Sequence, residues 1–260
     1  MSSVLTTSLG DRVAFDRRGG GPAMIFIAGA GPYREVDPWT TETAELASQA
    51  GVTTIVYDRL GRGESATTTV PDLDRELEAI RALIDEVGGR AALCGHSSGC
   101  TIALAAAARG LPVTGLLLWE APIGGQSGGA GRWADEVLRR IDEGDLEGAL
   151  VHYMKDMPPE WLEDARRPPA WESMVAGVVS YVADAQSLAW IESDALENLV
   201  GGLRMPVECV TGTTTFPMMI DAANAIVRAV PGATHRSVEG SNHVWDPAAM
   251  AEEIVRFLAP

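Results

Sequence analysis

AALCGHSSG, residues 91–99, is followed after Cys100 by TIALAAAAR, residues 101–109, and this succession decides the fold. An unbroken apolar run, a Gly/Ser turn and a strong helix former read in order as strand, sharp turn and helix. Within it, Gly95-His96-Ser97-Ser98-Gly99 fits G-x-S-x-G in the place that pattern requires. The reason is steric. Glycines two residues either side of Ser97 let the strand and helix backbones approach closely, so the serine hydroxyl projects from the sheet edge. The helix N-terminus beneath it favours developing negative charge.

The same alternation extends outward on both sides. Upstream, residues 3–17 read as two short strands around Leu9-Gly10-Asp11, and MIFIAGAG (24–31) as a buried strand ending in a Gly-rich loop. Residues 39–50 read as helix and TTIVYD (53–58) as strand. Within 71–87, Leu77, Ile80, Leu83 and Ile84 fall on one helical face. Downstream come a strand VTGLLLWE (113–120), a strand VECVTG (207–212), a helix near 220–229, a short strand near 236–239 and a last helix at 247–258. Strands alternating with helices imply βαβ units. Continuous apolar strands imply burial on both faces, as in a parallel sheet. Catalytic groups then gather at the carboxyl ends of the strands. The fold class expected is α/β, a mostly parallel sheet flanked by helices.

One stretch departs from this pattern. It opens with GGQSGGAG from Gly124, continues in helical segments broken by Pro158-Pro159 and Pro168-Pro169, and holds Trp133, Trp161, Trp171 and Trp190. About 80 residues is far more than the 10–12 a crossover needs. We read 124–204 as a helical cap inserted after the strand ending at Glu120, and 1–123 with 205–260 as the core. Crossover helices of a longer sheet are the alternative.

Composition narrows the function. The 260 residues are 46% hydrophobic, enough for a sizeable core, and carry a formal net charge of −16. Such a surface repels nucleic acid and anionic membrane, so neither is expected as a partner. Three cysteines without paired spacing read as buried hydrophobes rather than disulfides. No signal peptide and no apolar run of spanning length is read, which points to the cytoplasm. Acidic clusters such as Asp142-Glu143-Gly144-Asp145 lack metal-ligand spacing, and no phosphate-binding or dinucleotide fingerprint is present. No metal and no cofactor are expected.

A serine hydroxyl needs a base to become a nucleophile. His243, after the last strand, is the candidate. His96 lies inside the turn and is expected to point away, His152 is in the cap, and His235 begins an edge strand. With these residues in hand, the chain resembles the α/β-hydrolase superfamily over essentially its whole length. Asp58-Arg59-Leu60-Gly61-Arg62-Gly63-Glu64-Ser65 is similar to that family's D-x-x-G-x-G-x-S loop. Ala28-Gly29-Ala30-Gly31-Pro32 stands where relatives carry His-Gly, with Ala28 in place of the His. The resemblance implies Ser97 as nucleophile, His243 as base, and the N–H groups of Ala30 and Ser98 as the oxyanion hole. The family's usual acid position falls at Thr215, which carries no charge. Glu120 ends the apolar LLLWE strand at the same sheet edge, the place where certain lactone hydrolases keep their acid. A carboxylate there is costly to bury unless paired, and His243 would pair it. Asp246, before Pro247, reads instead as a helix N-cap; Asp221 lies within a helix, and Asp58 ties down its loop.

The resemblance therefore implies a serine hydrolase acting on a small-molecule carboxylic ester or lactone. Trp133, Met154 and Trp190 of the cap suggest an apolar or aromatic substrate, or else pack the cap's own core. The chain is expected as monomer or homodimer. A lyase or biosynthetic cyclase on the same scaffold, and a catalytically silent ligand-binding protein, stay open.

Overall fold

The structure is a computed structural model that describes residues 2–124, 129–168 and 170–259. Along the core run β1 (Ser3–Thr6), β2 (Arg12–Arg18), β3 (Ala23–Ile27), α1 (Pro38–Gln49), β4 (Thr53–Tyr57), α2 (Leu73–Glu86), β5 (Ala91–His96), α3 (Ser98–Ala108) and β6 (Val113–Trp119). The helical insertion follows, with α4 (Gly129–Asp142), α5 (Leu146–Tyr153), α6 (Pro159–Ala165), α7 (Ala170–Gly177), α8 (Val182–Ile191) and α9 (Leu196–Val200). The chain returns as β7 (Val207–Gly212), α10 (Pro217–Ala229), β8 (Thr234–Val238), a small ribbon of β9 (Gly240–Ser241) with β10 (Val244–Trp245), and α11 (Pro247–Leu258).

Eight strands form one sheet in the order β1-β2-β4-β3-β5-β6-β7-β8. β1–β2 and β2–β4 pair antiparallel; every other neighbour is parallel. Strand periodicity explains why the central runs are apolar throughout. Ile25, Ile27, Leu93, Leu116 and Leu118 face one core with α2, α3 and α10, while Met24, Phe26, Cys94, Leu117 and Trp119 face the other with α1 and α11. Each such fully buried large side chain stabilises by about 1.5–3 kcal/mol. All three cysteines are buried and free, as expected from the sequence.

Helix α3 is buried along almost its whole length. A helix apolar all round must be covered on all sides, and α8 of the insertion packs on it. The insertion has its own apolar cluster, including Val137, Leu150, Tyr153, Val178, Tyr181 and Ala185. Ile191, Leu196, Val200 and Leu203 join the main core instead. The Gly-rich opening read from the sequence falls partly on 125–128, and Pro169 closes the second Pro-Pro pair; both lie outside the described residues. The continuous helical stretch Ala170–Ile191 is long and apolar enough to cross a membrane, a length the sequence pattern did not suggest, and half of its most apolar 18-residue window is buried inside the fold.

Candidate active site

Ser97 sits between β5 and α3 with φ 54° and ψ −128°. Left-handed backbone is unfavourable for a residue with a Cβ, and the surrounding packing enforces it. A Cβ at Gly99 would stand 2.1 Å from the Ile27 carbonyl oxygen, and one at Gly95 2.6 Å from Cys100 Cα. The Ser97 N–H donates to the Trp119 carbonyl at 3.0 Å, which ties the turn to the end of β6. A Cβ at Gly29 would lie 3.0 Å from Ser97 Cβ, so the loop after β3 passes directly over the serine. No hydrogen bond from Ser97 Oγ is present among the described residues. Nucleophile–base contacts are often loose before substrate arrives.

Glu120 follows β6 with φ 47° and is 1% exposed. Its Oε2 lies 2.5 Å from His243 Nδ1, and its Oε1 accepts the Gly212 N–H at 2.9 Å. Burial pushes this carboxyl up, but hydrogen bonds from His243 and the Gly212 N–H, with the Thr215 hydroxyl nearby, outweigh it and hold the group below the ordinary glutamate range. The Thr215 hydroxyl faces the same carboxylate without a hydrogen bond of good geometry. The sequence reading brought Thr215 into view only as the place where relatives keep an acid.

His243 lies between β9 and β10, and both it and Asn242 are left-handed, with φ 66° and 52°. Its carbonyl accepts Trp119 Nε1 at 3.2 Å and pairs with His96 Nε2 at 2.8 Å. Burial, helped by the neighbouring His243, pushes the His96 imidazole down to about 3. The ring is therefore neutral, and its Nε2–H is the donor. His96 does not point away from the site, as the sequence reading expected; its ring centroid is 4.9 Å from that of His243. A histidine beside the serine of the turn is spaced to meet this loop, but only the fold shows which one.

The other acids fall where the sequence placed them. Asp246 caps α11 by accepting the Ala249 N–H, Asp221 lies exposed on α10, and Asp58 binds the Arg34 and Glu64 N–H groups in its loop. Ala30 borders the insertion's apolar cluster, and Ser98 opens α3 with its N–H free of helical bonding. Met154 packs inside that cluster, Trp133 packs against it, and Trp190 packs against the main core. The aromatic ring brought to His243 is Trp161, 5.8 Å away centroid to centroid, with Phe216 5.8 Å beyond it. His235, on the edge strand β8, bonds Thr211 of β7, and His152 stays in the insertion. Among the described residues, no cluster of three or more metal-ligating side chains occurs.

The sequence reading also missed Asp184, Arg59 and Arg62. Asp184 is the single charge in VADAQSLAWI, residues 182–191, and a lone carboxylate in an apolar helix needs a partner. Its ion-pair partners lie more than 120 residues away in sequence.

A profile of the alpha/beta hydrolase family matches residues 24–257. An alpha/beta hydrolase from Sphaerobacter thermophilus is similar over 99% of this chain and 100% of its own, at 26% identity and TM-score 0.82. A thermophilic esterase from Thermogutta terrifontis is 19% identical over 98% of this chain and 96% of its own (TM-score 0.62). An enol-lactonase from Burkholderia xenovorans is 17% identical over 98% and 99% (TM-score 0.61). These last two share the fold. No curated protein matches the chain. With a profile match spanning nearly its full length and a sheet of the same design, the chain belongs to the alpha/beta hydrolase family.

Proposed function

We propose that the protein is a serine hydrolase that cleaves a carboxylic ester or lactone through Ser97, His243 and Glu120. The observation that carries this reading is the 2.5 Å contact between the buried Glu120 carboxylate and His243 Nδ1, beside a serine on a strained turn. Membership of the family supports hydrolase activity in general.

In the reaction, His243 takes the Ser97 proton as Oγ attacks the carbonyl carbon. The N–H groups of Ala30 and Ser98 hold the resulting oxyanion, each aligned donor contributing about 3–4 kcal/mol. Glu120 keeps Nδ1 protonated and stabilises the imidazolium, which then protonates the leaving alkoxide. Water, deprotonated by His243, attacks the acyl-serine and releases the acid. The helical insertion acts as a cap over this edge. Trp161 beside His243, with Phe216 packed on Trp161, favours an uncharged apolar or aromatic substrate. The buried guanidiniums Arg59 and Arg62 are paired with Asp184 and so do not attract a carboxylate.

The test is labelling with a fluorophosphonate, with the modified peptide located by mass spectrometry. Labelling at Ser97 that disappears in Ser97→Ala and His243→Ala, together with turnover of aryl esters or lactones, is expected. Folded protein that neither labels nor hydrolyses either class would overturn the reading.

A further inference from the structure

Two guanidiniums are buried beside the serine, which is costly unless both are paired. Arg59 and Arg62, from the loop after β4, are 1% and 5% exposed. Their shared partner is Asp184 of α8, fully buried, which accepts from Arg59 Nη1 at 2.6 Å and from Arg62 Nη2 at 2.7 Å. Glu76, 3.3 Å from Arg59 Nε, completes a group of two cations and two carboxylates. Burial pushes the Asp184 carboxyl up, but the two guanidiniums override it and hold the group below its ordinary value.

The same two guanidiniums also grip the loop over Ser97. Arg62 Nη1 donates to the Gly29 carbonyl at 2.5 Å; Arg59 Nη1 donates to Ala28 O at 3.1 Å and Gly29 O at 3.4 Å. The Gly29 carbonyl and the Ala30 N–H belong to one planar peptide and point in opposite directions. Fixing the oxygen therefore aims the N–H. Cations at that oxygen also draw electron density along the peptide and make the N–H a stronger donor. The second N–H belongs to Ser98, whose Oγ donates to Asp184 Oδ1 at 2.7 Å. Both proposed oxyanion donors thus lead back to one carboxylate of the helical insertion.

We propose that Asp184, Arg59 and Arg62 are positioning residues that orient and polarise the Ala30 and Ser98 N–H groups for the tetrahedral intermediate. The proposal rests on the ester or lactone reading above. None of the three side chains touches the reacting atoms; they act through the Gly29–Ala30 peptide and through Ser98. The insertion then sets how well the transition state is held, in addition to what reaches the serine.

The experiment compares wild type with Ser98→Ala, Arg62→Lys, Arg62→Gln and Asp184→Asn in hydrolysis of 4-nitrophenyl esters. It also measures inhibition by an aryl trifluoromethyl ketone, whose adduct with Ser97 places an oxyanion between the same donors. Ser98→Ala and Arg62→Gln are expected to lower kcat about 10–100-fold, a partial loss of donor alignment. The ketone's inhibition constant should rise by a similar factor while KM stays within about twofold, because ground-state binding is untouched. The pH–rate profile should keep its shape, since His243 and Glu120 are unaltered, and Arg62→Lys should recover part of the loss. If Asp184→Asn does not fold, Ser98→Ala still decides, because it removes one hydroxyl and leaves the ion pairs. Folded variants with kcat and ketone affinity near wild type, or with KM raised at constant kcat, would overturn the proposal. Wild-type protein that neither labels at Ser97 nor binds the ketone would remove the hydrolase reading itself, and this proposal with it.

Discussion

Replacing Glu120 by Gln removes a charge and almost nothing else from the shape of the site. On the proposed mechanism the imidazolium loses its counter-charge and the tautomer its control, so kcat should fall roughly 10³–10⁴-fold with the far-UV circular dichroism unchanged. Thr215→Ala removes only a hydroxyl that faces that carboxylate without a well-formed hydrogen bond and should cost no more than about fivefold, since His243 and the Gly212 N–H still hold the carboxylate. A larger loss in the second variant than in the first would move the acid away from Glu120. His96 supplies a different test. Its imidazole is held near pH 3 in the folded chain against an ordinary 6.5. The unfolded chain therefore binds the extra proton between those values, and stability falls as pH falls through that window, by up to about 1.4 kcal/mol per unit. Urea unfolding between pH 7 and pH 5 should show a shallower decline in His96→Gln than in wild type; equal slopes would count against the buried neutral ring. The placing of Ser97 on a strand-to-helix turn, and of Glu120 and His243 just past strands, was legible in the sequence because strand ends and Gly-rich turns mark the sheet edge. The role of His96 was not, because the carbonyl it holds lies 147 residues further along the chain.

At the scale of elements, the strands and helices of the core were legible to within a few residues, since hydrophobic alternation and turn residues are local signals. β5 ends at His96 and α3 begins at Ser98, one residue either side of the serine that the pattern singled out. The helix expected near 220 starts earlier, at Pro217, because proline is favoured in a first turn whose N–H groups have no partner. Asp246 separates an element's stability from the site's chemistry. Its side chain caps α11 at 2.9 Å, so Asp246→Ala should lower unfolding free energy by about 1 kcal/mol in thermal or urea melts and leave kcat unchanged. Glu120→Gln should reverse that pattern. Loss of turnover in a folded Asp246→Ala would reopen the choice of acid.

Across the whole molecule, the order of elements and the presence of a helical insertion were legible, but its attachment was not. The sequence suggested a lid of aromatic residues; the structure adds an ion-paired helix, α8, packed on α3 beneath the serine. Charges that meet across the fold leave no local trace beyond an isolated Asp184 in an apolar helix. The insertion's ring beside His243 is Trp161, and Trp161→Ala should shift preference toward bulkier esters, read as a rise in kcat/KM for long or branched substrates relative to acetate. An unchanged chain-length profile would place the substrate on another wall. One feature reaches beyond this protein. Among the described residues, the four non-glycine residues with positive φ are Ser97, Glu120, Asn242 and His243. On the proposed mechanism the chemistry is thus written in main-chain torsions as much as in side chains. Grafting the same three side chains onto a relaxed scaffold would reproduce their identities and lose their aim, so what has to be transplanted is a set of backbone bends together with the packing that compels them.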